Sequence, residues 1–111
     1  MSKLDDLVVK FAKDLESLDQ KVDAKLLRAV AKSCGPSIYR SDASLVAMSD
    51  PKEVARVKKN FCIGRLGLKD TQKTDEGIAA VKKLYKKNRK LRAVFYYLLV
   101  KHFRKGSLYK D

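Results

Sequence analysis

Eight consecutive residues, Ala93-Val94-Phe95-Tyr96-Tyr97-Leu98-Leu99-Val100, are all apolar. The run is far short of the roughly 18 residues a membrane-spanning helix needs. In helical register, Leu91, Phe95, Leu98 and His102 form one stripe, with Val94 and Leu99 beside it. Ala93, Tyr96, Tyr97 and Val100 then occupy the remaining sides. A helix that is apolar all round is buried on several sides. The last helix, running from beyond Asn88 through about Phe103 with Gly106 at its stop, is therefore expected at the centre, with the rest of the chain around it. At 111 residues the chain has the length for a single domain, residues 1–111, with one core.

The other segments supply helices of the right kind. Leu4, Leu7, Val8, Phe11, Leu15 and Leu18 fall within about 100° of arc on a helical wheel, with Ser2 and Asp5 as a capping arrangement. A second helix starts at Asp23, carries Leu26, Leu27 and Val30 inward, and ends at Gly35-Pro36. Residues 36–49 read as a loop with apolar anchors: Leu45-Val46-Ala47-Met48 is either extended or a short helical turn, and one short β-like segment has no partner to pair with. Ser49-Asp50-Pro51-Lys52-Glu53 is a strong helix start, with a cap, a proline at the first position and an acid in the first turn. That third helix turns Val54, Val57 and Phe61 inward, and Gly64 and Gly67 mark its end. A fourth opens at Thr74-Asp75-Glu76, with Ile78, Val81 and Tyr85 inward and Lys82, Lys83, Lys86 and Lys87 outward. The short helices and tight Gly and Pro turns predict an all-α fold, a compact orthogonal bundle of about five helices with a largely buried last helix.

Charge is distributed unevenly along this fold. Residues 1–50 hold 8 Lys and Arg against 8 Asp and Glu, whereas residues 51–111 hold 18 against 5, the whole of the +13 net charge. From Gly77 to Lys110 there are 11 basic residues and no acid. Such lopsidedness bears on partners rather than on fold. Lys82, Lys83, Lys86, Lys87, Arg89, Lys90 and Arg92 surround the junction of the last two helices, and the third adds Arg56, Lys58 and Lys59. Were these faces contiguous, they would make a phosphate-binding field. The alternative is a solvated face that keeps the protein soluble. Lys outnumbers Arg 19 to 7, which favours backbone contact over base readout, since Lys is a point charge without the planar guanidinium fork.

Other chemistry has simpler explanations. His102, the single histidine, has no nucleophile or carboxylate at helical spacing and reads as a packed helix-end residue. Asp42, Asp50, Asp70, Asp75 and Glu76 lie at turns and helix starts and lack the alternating pattern of a calcium loop, so they read as caps. Cys34 and Cys62 are too few for a metal or disulfide framework and read as core or boundary residues. Gly64-Arg65-Leu66-Gly67 lacks a nucleotide fingerprint. Tyr96, Tyr97 and Val100 read foremost as core, with an exposed patch for a protein partner or homodimer as the alternative.

The motifs Gly35-Pro36-Ser37-Ile38-Tyr39, Val57-Lys58-Lys59-Asn60-Phe61, Leu66-Gly67-Leu68 and Arg92-Ala93-Val94-Phe95-Tyr96-Tyr97-Leu98-Leu99, in this order over nearly the whole chain, resemble a bacterial family of small helical proteins, domain of unknown function number two-eight-five-three. The resemblance implies a compact helical domain and carries no catalytic residues. The expectation is a non-enzymatic binding or adaptor domain, with no cofactor and no metal, whose basic C-terminal half binds nucleic acid or another polyanion non-specifically. The alternative is an interaction module using the apolar last helix. With no signal core in Met1-Ser2-Lys3-Leu4 and no membrane span, a cytoplasmic location without integral membrane association is expected.

Overall fold

The computed structural model describes residues 3–40 and 44–109. Five α-helices are formed: α1 Lys3–Ser17, α2 Ala24–Ser33, α3 Pro51–Arg56, α4 Gln72–Leu84 and α5 Arg92–His102. A two-residue strand, β1 Leu45–Val46, pairs antiparallel with β2 Lys90–Leu91. Short 3₁₀ turns at Gly35–Tyr39 and Gly106–Tyr109 follow α2 and α5. The expected capping pair at Ser2 and the acid at Asp42 lie outside the described residues.

α5 occupies the centre because it has no face to give to water. Ala93, Val94, Phe95, Tyr97, Leu98, Leu99 and Val100 are all buried. α1, α2 and α4 each pack against it, α1 presenting Phe11 and Leu15, α2 presenting Leu26, Leu27, Val30 and Ala31, and α4 presenting Ile78 and Val81. These side chains, with Met48, Val57, Phe61, Cys62 and Leu66, form one hydrophobic cluster. At roughly 1.5–3 kcal/mol for each large aliphatic or aromatic side chain removed from water, that cluster dominates the stability.

Two tyrosines solve the problem of placing a hydroxyl in this interior. Tyr97 is 1% exposed, yet its hydroxyl donates to the Lys21 carbonyl at 3.1 Å and accepts from the Asp23 amide at 3.0 Å. It thereby latches the α1–α2 connection to the central helix. Tyr85 is fully buried; its hydroxyl donates to Asp14 and accepts from the Leu91 amide at 2.9 Å. Burial, and then the Asp14 carboxylate beside it, push the Tyr85 phenol well above its usual value.

Helix ends follow local chemistry. Asp23 caps α2 by accepting from the Leu26 amide at 3.1 Å, and Gly35 follows its end with φ +70°. Asp50 caps α3 by accepting from the Lys52 amide at 2.9 Å, with Pro51 at the first position. α4 begins two residues earlier than Thr74, which is buried and donates its hydroxyl to the Lys69 carbonyl at 2.7 Å. Gly77 is where α4 meets the end of α5: a Cβ there would run into the ring of Phe103 and come within 3.0 Å of His102 Cδ2.

Three expectations are corrected. The segment at Leu45 is a strand after all, since Leu45 faces Leu91 and Val46 faces Lys90, with Arg92 N–H donating to the Ser44 carbonyl at 2.7 Å. The third helix does not continue as an α-helix: residues Val57–Ile63 form a π-helix. Val57, Phe61 and Cys62 on this segment and Leu66 beyond it are buried, and the Leu66 amide donates five residues back to the Phe61 carbonyl at 2.9 Å. His102 is exposed, edge-on to Phe103 with ring centroids 5.0 Å apart, because Phe103 takes the inward place beside Gly77.

Removing the Tyr97 hydroxyl in Tyr97→Phe leaves the Lys21 carbonyl and the Asp23 amide without that partner. It is expected to cost about 1–3 kcal/mol in urea unfolding. Gly77→Ala is expected to cost a comparable amount, about 1–3 kcal/mol, by displacing Phe103.

Candidate functional site

The ten basic residues singled out from the sequence differ in how they are engaged. Ion pairing and distance along α4 divide them. Lys58, on the π segment, bridges Asp70 and Asp75, the latter at 2.7 Å, and these carboxylates hold its ammonium above the usual pKa. Asp70 and Asp75 therefore pair with a lysine rather than act as caps. Lys58 thus sits against the first turn of α4. Lys82 and Lys83 lie in its last turn, roughly 10–12 Å further along at 1.5 Å per residue, and Lys86 follows just past its end.

Around Glu53 a second group is consumed. Arg56 Nη1 lies 3.3 Å from Glu53 Oε2, and Arg92 Nη2 lies 3.1 Å from Glu53 Oε1. Arg92 also donates to the Tyr96 hydroxyl at 2.9 Å and the Leu45 carbonyl at 3.2 Å. It is an organising residue that ties α3, β1 and α5 together. Lys87 turns back onto α1, pairing with Asp14 and donating to Ser17 Oγ at 2.6 Å. Lys90 is half-buried and donates to the Lys87 carbonyl at 2.7 Å.

What remains is a cluster at the C-terminal end of α4. Lys82, Lys83 and Lys86 are exposed, as is Arg89 in the connection to β2, and none forms an ion pair among the described residues. Lys59, exposed on the π segment, is likewise unpaired there. Lys82 and Lys83 stand in the last turn of α4, where the helix dipole favours cations, so the helix itself gains from holding them.

Of the three residues proposed for a protein contact, two lie in the core. Tyr97 and Val100 are 1% and 0% exposed, and both belong to the core. Tyr96 is half-buried, stacked on Phe61 at 3.9 Å between ring centroids, with the Arg92 guanidinium 5.7 Å from its ring centre. With Tyr97 and Val100 in the core, only Tyr96 of the three reaches the surface.

A basic groove of about 900 Å³ has no counterpart among the sequence expectations. Lys25, Arg28 and Lys32 of α2 face Lys101 of α5 and Arg104 just beyond it across a floor that includes Leu26, Ala29 and Val100. The two sets are some 70 positions apart in sequence, which hides the groove from any reading of charge runs. Arg28 is paired with Asp5.

Neither cysteine is poised for nucleophilic chemistry. Burial raises the Cys34 thiol to about 11, only partly opposed by Arg92, and raises the Cys62 thiol to about 12. No group of His, Cys, Asp and Glu among the described residues has the arrangement to hold a metal ion. No helix among them is long and apolar enough to cross a membrane.

An unfolded thiol ionises near pH 9, whereas the folded thiols stay protonated beyond it. The folded state then binds more protons, so stability is full below about pH 9 and declines as pH rises toward 11–12. Urea unfolding across pH 8–11 is expected to show that decline, reduced in Cys62→Ala. Both thiols are expected to resist iodoacetamide at pH 8 and to react on unfolding.

Residues 10–107 match the family model described as protein of unknown function (DUF2853). No curated protein matches the chain.

Proposed function

Starting from a chain that belongs to the family of proteins of unknown function (DUF2853), we propose that it binds polyanions, nucleic acid among them, by non-specific phosphate contact at the C-terminal end of α4. The supporting observation is the division of the cations. Arg56, Lys58, Lys87 and Arg92 are engaged by carboxylates, while Lys82, Lys83, Lys86 and Arg89 are exposed without one among the described residues. Fixing a cation in an ion pair lowers its gain on meeting a phosphate. An unpaired, solvated ammonium has only condensed counterions to displace from the polyanion.

The lysine-dominated cluster favours backbone contact. Three ammonium groups and one guanidinium lack the repeated planar forks that read base edges. α5, which follows the cluster where a recognition helix would stand, is spent on the core and has no polar face to insert into a groove. Tyr96 and Tyr97 are likewise taken up, so base stacking on them has no support. Binding of this kind is weak, fast and steeply dependent on salt.

Fluorescence anisotropy of labelled single- and double-stranded oligonucleotides is the direct test. Four phosphate contacts predict a slope of roughly −3 to −4 in log K against log salt, with binding near micromolar at about 50 mM salt and largely lost at about 200 mM. Reversal of Lys82, Lys83 and Lys86 to Glu is expected to abolish binding, whereas Lys52→Glu with Lys69→Glu, on exposed sites elsewhere, leaves most of it. Absence of binding at low salt, or equal loss in both variants, would overturn the assignment to this cluster.

A further inference from the structure

The groove between α2 and the end of α5 gathers charge that its own walls do not neutralise. Lys25 and Lys32 line it from α2, Lys101 from α5, and Arg104 from just beyond α5. All four are exposed, and none forms an ion pair among the described residues. Arg28, in the same wall, is engaged by Asp5 and is left out of the count. The one carboxylate in the lining, Asp23, accepts from the Leu26 amide as the α2 cap. Lys25 and Lys32 stand seven residues apart on one face of α2, about 10 Å along its axis. Four cations from two helix ends thus converge on about 900 Å³, within the size range of small-molecule sites. Like charges brought together oppose the compact state, and an anion between them removes that opposition.

Arg104 is held there under strain. It is the first residue beyond the α5 cap, at φ +57°, in the left-handed region that favours glycine. Its amide donates to the Lys101 carbonyl at 3.3 Å, and the Lys105 amide donates to the Val100 carbonyl at 3.0 Å, closing the helix end. α2 places Gly35, at φ +70°, in the same role. At the end of α5 a side chain stands where glycine would be unstrained, and that side chain lines the groove.

The rest of the lining selects the occupant. Leu26 and Val100, in the floor, are 8% and 0% exposed, and Ala29 adds a single methyl, so little apolar surface is on offer. A peptide would lack the apolar pocket that anchors such partners. The Gly106–Tyr109 turn packs on α2 and contributes a third wall with the Ser107 hydroxyl, which suits a compact anion better than a long polymer. Three of the four unpaired cations are lysines, point charges that meet phosphate oxygens from any direction. We infer that this groove binds a linear oligophosphate, a di- or triphosphate either free or carried by a nucleotide, with its phosphoryl groups between Lys25, Lys32, Lys101 and Arg104.

The test is a ¹H–¹⁵N NMR titration of the full chain with tripolyphosphate, adenosine triphosphate, adenosine and, for the acidic-peptide alternative, hexaglutamate. Saturable shifts at Lys25, Lys32, Lys101, Arg104 and Ser107 are expected with tripolyphosphate, and none with adenosine. Tighter binding of adenosine triphosphate than of tripolyphosphate identifies a nucleotide as the source, and equal or weaker binding identifies the free chain. Lys32→Gln with Lys101→Gln, both exposed, is expected to weaken tripolyphosphate binding about tenfold or more. Lys52→Gln with Lys69→Gln, the same charge change elsewhere, leaves it unchanged. Arg104→Gly is expected to raise the urea midpoint while weakening binding, a combination that an arginine with only a structural role would not give. Hexaglutamate binding as tightly as tripolyphosphate, equal weakening in both lysine pairs, or shifts spread over every basic surface would overturn the inference. Oligonucleotide binding at α4 is read with a different probe and different variants, so either reading can fail alone.

Discussion

Everything in this chain is arranged around a helix that has no side to offer to water. α5 buries seven of its eleven residues, so the remaining elements have to cover it from several directions. α1, α2 and α4 each do so with an apolar stripe, and β1 extends the cover by pairing with the two residues that precede α5. The polar groups that this burial traps are satisfied by long-range partners. Tyr97 reaches the α1–α2 connection and Tyr85 reaches both Asp14 and Leu91. These bonds give the bundle its register, because each hydroxyl finds its partners in only one arrangement of the helices.

The same arrangement decides which charges are available. Exposed ion pairs contribute little to stability, commonly below about 1 kcal/mol. Their consequence here lies in what they occupy. Packing α1 against the end of α4 places Asp14 beside Lys87, and packing the π segment against α4 places Lys58 between Asp70 and Asp75. With few acids in the C-terminal half, the cluster from Lys82 to Arg89 is left largely uncompensated. The net charge of +13 is thus less informative than the local pairing.

Much of the fold was legible in the residues. The spacing of Phe11 and Leu15, the Asp23 and Asp50 caps, Pro51, and the all-round apolarity of α5 each act through neighbours close in sequence, which periodicity and capping rules capture. The strand at Leu45 was not legible, because its partner, Lys90-Leu91, is two residues long and sits inside a basic stretch. The π turn was hidden because it shares its composition with an ordinary helix, and the buried positions Val57, Phe61, Cys62 and Leu66 also fit a four-residue step. For the site, the basic run at α4 was visible. Which of Arg56 and Lys58 stay available beside that run was not legible, since it depends on where Glu53, Asp70 and Asp75 come to lie. The groove between α2 and α5 is a product of tertiary packing and left no trace in any local pattern.

If local pairing decides which cations engage a polyanion, the lysines should respond individually. The decisive measurement is side-chain NMR of the Lys and Arg groups during titration with a short single-stranded oligonucleotide at low salt. The signals of Lys82, Lys83, Lys86 and Arg89 are expected to shift together and saturate, while those of Lys58 and Lys87, held by their carboxylates, stay in place. Equal shifts at Lys58 and Lys87, or a uniform drift of every lysine, would contradict the account and return the basic half of the chain to general solvation.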